Sequence, residues 1–167
     1  MRAPIATGAV LLLAGALAAC GGGGKRSPSA AAENTPTAAP GIAVSPADRP
    51  ACTLLYARLQ RVTAAIGTSS ELIAHSLDKR QLSHRIEVER QQLERSARLM
   101  TSGPVPAPLV PATRELVAAL QAFSRDFARA KAPAARGDFR AAAGAMTDEP
   151  VVRRIVKASR TIEDACR

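Results

Sequence analysis

An all-α fold is predicted for this chain. It is an up-down-up-down helical bundle of four main helices, with its ends closed by a disulfide and a disordered tether in front. Three observations predict it. Apolar residues recur in steps of three and four through most of residues 51–167, the spacing that gathers them on one helix face. Glycine and proline cluster between those stretches, where a chain turns. No alternating run of β-branched residues outlasts four residues, so strands have no support.

The first stripe is Leu55, Leu59, Val62, Ile66, Ile73 and Leu77, with Ser69 and Ser70 filling the missing turn. Gly67 sits inside it and weakens a helix by about 1 kcal/mol relative to alanine. Leu82, Ile86, Leu93, Ala97 and Met100 then share a new face on which Leu77 does not lie. A break near Asp78 explains the change of phase, and Asp78-x-x-Gln81 has the form of a capping box. A kinked continuous helix with its corner at Gly67 is the alternative.

Gly103-Pro104 ends this stretch, and a proline-studded loop runs to Pro111. Pro111 suits a first helical turn, and Leu116, Leu120, Phe123, Phe127 and Ala130 follow in helical steps. Pro133 and Gly137 are expected to end that helix. A short helix is expected after Asp138, including Phe139 and stopping near Thr147. Pro150 opens the last helix, with Val152, Ile155, Ser159, Ile162 and Cys166 on one face. An even number of antiparallel main helices returns the chain to its starting end. That places Cys166 beside Cys52. A disulfide between them closes a loop of over a hundred residues, for which chain entropy allows about 4–5 kcal/mol. The alternative, a redox or metal-binding pair, lacks C-x-x-C spacing and any histidine near either cysteine.

The first twenty residues have a different character. Arg2 is followed by a short apolar run from Gly8 to Leu17, and Leu17-Ala18-Ala19-Cys20 closes it. The run is shorter than the ~20 apolar residues that cross a hydrocarbon core. It resembles the lipobox of bacterial lipoprotein precursors. The resemblance implies that residues 1–19 are a signal peptide, that Cys20 carries the lipid, and that the protein sits on the extracytoplasmic face of the cell membrane. Residues 20–50 hold Gly21 to Gly24 and prolines 28, 36, 40, 46 and 50 among alanine, serine and threonine. Such composition buries too little apolar surface to order itself, and a tether is expected. Residues 51–167 form one domain, long enough for its own core. This domain resembles small exported helical domains of actinobacteria, mostly uncharacterised. The shared features are a cysteine near each end and a segment like Pro108-Leu109-Val110-Pro111-Ala112-Thr113-Arg114-Glu115-Leu116 leading into an amphipathic helix.

The chain carries a formal net charge of +9. Export removes nucleic acid from the partners such a charge suggests. Anionic lipid, anionic wall polymer or an envelope protein remain. Arg125 and Arg129 on one helix, and Arg153, Lys157 and Arg160 on the last, form the candidate face for such a partner, with a solvated surface as the plain alternative. One tyrosine, three phenylalanines and no tryptophan argue against a stacking platform for sugars or bases. No H-E-x-x-H, G-x-S-x-G, P-loop or G-x-G-x-x-G stands in the domain. Glu71 and His75 supply at most two ligands, and His84 lies on the opposite side of a continuous helix, so no metal and no cofactor are expected. Ser69, Ser70 and Ser76 beside His75 and Asp78 are too close along one helix to form a triad. Glu89 falls on the inner stripe, and is expected either to face solvent near a helix end or to pair with Arg85. A buried carboxylate lining a cavity is the remaining option. The expected role is therefore a non-catalytic interaction or scaffold module, with binding of a lipid or other apolar ligand, or of wall polymer, as the rival.

Overall fold

The computed structural model describes residues 42–167, apart from the side chains of residues 69–72 and 74. The expected signal peptide, Cys20 and most of the expected tether lie outside the described residues. Five α-helices follow in order: α1 Arg49–Ala74, α2 Lys79–Thr101, α3 Val110–Arg136, the short α4 Phe139–Met146, and α5 Glu149–Cys166. There is no strand among the described residues. α1 packs on α2, α2 on α3, α3 on α5 and α5 back on α1, while α4 lies against α3. The four long helices thus close a ring around one core, in the up-down-up-down order that the stripes predict.

The core is built from those stripes. Leu55, Leu59 and Val62 of α1 meet Leu82, Ile86, Leu93, Ala97 and Met100 of α2. Leu116, Leu120, Phe127 and Ala130 of α3 and Ile162 of α5 complete it. Phe123 and Phe127 pack edge to face with centroids 5.0 Å apart, a favoured aromatic geometry. Cys52 and Cys166 are joined, with Cα atoms 5.3 Å apart.

Four local features differ from expectation, each for a physical reason. First, the bundle begins before residue 51. Ser45 caps a 3-10 turn at Pro46–Asp48, α1 starts at Arg49, and Val44 packs on the core. Pro46 and Pro50 occupy first-turn positions, where a missing N–H costs nothing. Second, although α1 runs through Gly67 and α2 begins after Asp78 as the change of phase predicts, α1 stops at Ala74, before Leu77. The Asp78 carboxylate accepts from the amides of Arg80 and Gln81 at 2.8 and 2.9 Å, and Gln81 Oε1 accepts from the Leu77 amide at 3.1 Å. Leu77 therefore leaves the first stripe, stands between helices and is 86% exposed.

Third, α3 continues through Pro133 to Arg136. The missing proline N–H costs one bond in the last turn. The Pro133 and Ala134 carbonyls are then engaged from beyond the helix, by the amides of Asp138 at 2.9 Å and Gly137 at 3.0 Å. This pattern needs a left-handed residue, and Gly137 supplies φ +83°. Asp138 then caps α4, accepting from the Ala141 amide. Fourth, the inward face of α5 is turned toward Val151 and Ala158, with Val152 and Ser159 half-buried at its margin.

The two glycines should respond oppositely to alanine. A Cβ at Gly67 meets nothing within 4 Å, so Gly67→Ala is expected to raise unfolding free energy by up to about 1 kcal/mol. Gly137→Ala has room, since its nearest contact is Lys79 Cδ at 3.9 Å. Its left-handed backbone is expected to cost about 1–2 kcal/mol instead. Denaturant melts of the two variants check both signs.

Candidate functional site

The cations singled out from the sequence lie on α3 and α5, which pack side by side. Arg125, Arg129, Arg153, Lys157 and Arg160 are all exposed. Carboxylates answer several of them. Arg129 is held by Asp126 one turn back, and Arg153 pairs with Glu149 at 2.9 Å. Arg154, which the sequence reading passed over, crosses from α5 to Glu115 of α3 at 2.6 Å. Arg154 holds the Glu115 carboxyl below its ordinary range, and nearby Lys157 adds to the effect. This face is a lattice of both signs rather than a continuous basic stripe.

Beneath it lies Asp126, 2% exposed. Its Oδ1 accepts from Arg129, and its Oδ2 has no hydrogen-bond donor among the described residues. Burial pushes the Asp126 carboxyl up from its ordinary value; Arg129 opposes this, Asp148 adds to it, and Arg125 opposes it. Beside it an open polar cleft runs past Arg129, Gly144, Thr147, Asp148 and Glu149. Between the ordinary aspartate pKa and the raised one, the folded chain holds a proton that the unfolded chain has released. The stability from this group is complete below that window and falls as pH rises through it. Asp126→Asn removes the titration. Its unfolding free energy is expected to gain on the native chain's as pH rises from the ordinary aspartate range of about 4 toward neutrality. A constant difference across that range would mean that Asp126 does not titrate abnormally.

On the opposite seam the signs reverse. Glu87 of α2 binds Arg90 at 2.7 Å and Lys131 of α3 at 2.8 Å, and accepts from Gln91 at 3.0 Å. Arg90, then Lys131, then Gln91 hold its carboxyl far below the usual range. Its contribution is therefore present at neutral pH and lost on acidification.

Glu89 does not face solvent near a helix end. It sits mid-way along α2 and is 1% exposed, between Ile86 and Leu93. Arg85, one turn before it on α2, also donates to Ser76 Oγ at 3.3 Å. His75 lies in the turn after α1 and His84 on α2, so the two belong to different elements, both exposed. The side chains of Ser69, Ser70 and Glu71 lie outside the described residues. Among the described residues no group of three or more histidine, cysteine or carboxylate side chains is placed to hold a metal ion.

Sequence reasoning missed Arg58, which with Asp126 and Glu89 is one of three charged side chains buried among the described residues. It is 5% exposed. Nη1 donates to the Met100 carbonyl at 3.4 Å, Nη2 to Pro104 at 2.5 Å, and Nε to Leu54 of its own helix at 3.3 Å. Burial, then neighbouring Arg61, lowers its pKa. The guanidinium thus caps the C-terminal end of α2 from α1, where carbonyls lack helical donors and a cation is favoured. The sequence signal was Gly103 after the helix: a Cβ there would come 3.1 Å from Arg58 Nη1.

An apolar depression of about 350 Å³ opens between Thr101, Val105, Val110, Val117 and Gln121. No helix among the described residues is long and apolar enough to cross a membrane. No family model, curated protein or solved structure matches the chain.

Proposed function

We propose that this chain is a lipoprotein of the extracytoplasmic face of the cell membrane, anchored through lipid on Cys20. Its bundle acts as a non-catalytic interaction or scaffold module of the cell envelope. The observation that carries this reading is Leu17-Ala18-Ala19-Cys20 at the end of a short apolar run. The Cys52–Cys166 disulfide suits an oxidising compartment. The ion-paired surface of α3 and α5 offers exposed charges of both signs for a partner to meet.

The rival is a binding protein for a lipid or other apolar ligand, and the depression against α3 is its best location. That depression lies where the end of α2 and the loop after it meet the first turns of α3. The test begins with fatty-acid labelling in the native host: label is expected on the native chain and absent from Cys20→Ala. Label on Cys20→Ala would overturn the anchor. In-cell crosslinking then separates the roles. A specific protein captured by the native chain, and lost when Arg153, Lys157 and Arg160 are changed to Glu, supports the scaffold. Enrichment of lipid or wall polymer with no protein supports the rival.

A further inference from the structure

The connection between α1 and α2 and that between α3 and α4 lie at the same end of the bundle, away from the disulfide. Their proximity is direct: a Cβ built on Gly137 would lie 3.9 Å from Lys79 Cδ. This tip carries two large apolar side chains in solvent. Leu77 is 86% exposed and Phe139 is 51% exposed. Neither exposure is required by the local fold. A leucine just before an N-cap ordinarily packs on the fourth helical residue, here Leu82. Leu82 is only 6% exposed, covered by the core, and Leu77 at 86% exposed supplies none of that cover. Phe139 opens α4 outside the Phe123–Phe127 pair.

Four cations surround them: Lys79, Arg80, Arg136 and Arg140, all exposed. None joins an ion pair among the described residues. The two carboxylates of these turns, Asp78 and Asp138, are engaged by backbone amides at the starts of α2 and α4. On α3 and α5, by contrast, Arg129, Arg153 and Arg154 are answered by acids.

We propose that this tip docks on an anionic phospholipid bilayer, with Leu77 and Phe139 entering the interface and Lys79, Arg80, Arg136 and Arg140 meeting lipid phosphates. The pairing of apolar and cationic groups selects a bilayer over a soluble polyanion. A polymer in water rewards the charges and gives the apolar side chains nowhere to go. The contact is independent of lipid on Cys20.

Residues 42–167 contain a complete core and their own disulfide, so the test uses the oxidised chain from residue 21 onward, which carries no lipid. It is mixed with phosphatidylcholine vesicles with and without phosphatidylglycerol, and the bound fraction is measured by sedimentation. Binding is expected only with the anionic lipid. Leu77→Ser with Phe139→Ser is expected to weaken it by about tenfold or more. Each of Lys79→Gln and Arg136→Gln is expected to weaken it about fivefold. Arg153→Gln with Lys157→Gln should leave it unchanged. The chain has no tryptophan, so Phe139→Trp provides a reporter whose emission should shift to the blue on binding. Circular dichroism confirms that each variant is folded. No binding, binding indifferent to the two apolar substitutions, or binding lost only through Arg153 and Lys157 each overturns the proposal. The second of these outcomes points instead to a soluble polyanion.

Discussion

Oxidised native protein is expected to exceed the Cys52→Ala, Cys166→Ala double variant by about 3–5 kcal/mol in unfolding free energy. The bond joins residues 114 apart in sequence, so its absence frees nearly the whole domain in the unfolded state. Domains of this size typically have only about 5–15 kcal/mol in total. The location adds to the effect. α1 and α5 share the thinnest seam of the ring, and the bond lies at its end. Arg167 reinforces the same corner through Tyr56 and Glu163. Hydrogen exchange should show α1 amides losing protection first in the double variant. A loss below about 1 kcal/mol would mean that the unfolded chain keeps its ends close without the bond.

Arg58→Ala is expected to cost about 3 kcal/mol or more. Hydrogen bonds to charged groups contribute about 1.5–3 kcal/mol each, and Arg58 supplies two that leave its own helix. Its removal strands the Met100 and Pro104 carbonyls and opens a space behind Gly103. Arg58→Met retains the stem and tests packing alone; it should recover a minority of the loss. Arg58→Lys should recover little, because its donors radiate from one nitrogen, whereas the planar guanidinium reaches the two carbonyls from two nitrogens held apart. Chemical denaturation of the three variants ranks them. If methionine restores native stability, the guanidinium fills space and caps nothing.

The legibility of the fold followed from how much each residue's fate depends on its neighbours in sequence. Leu82, Ile86, Leu93, Ala97 and Met100 are all buried, because a helix needs only its own spacing to gather them. Asp78 was legible because a cap is a contact within four residues. The Cys52–Cys166 pairing was legible because the parity of the helix count decides which ends meet. Leu77 was misplaced because period alone cannot see that the helix stops at Ala74. Pro133 was misread because its penalty is small in a last turn that Gly137 and Asp138 complete. Arg58, Glu89 and Asp126 were the hardest. Whether a charge is buried depends on what another helix places over it, and spacing along one helix is silent on that. Arg129 of α3 was found, but not Asp126 as its partner, and the Arg154–Glu115 pair was missed altogether.

The position of the disulfide also decides how the protein takes a pull. Tension that enters ahead of Cys52 and leaves beyond Cys166 crosses from one end of the chain to the other through a single covalent link. The intervening helices lie off the load path. Such a pull would straighten only residues outside the link and leave the bundle folded, for as long as the bond stays oxidised. Reduction would place all five helices under the same force at once.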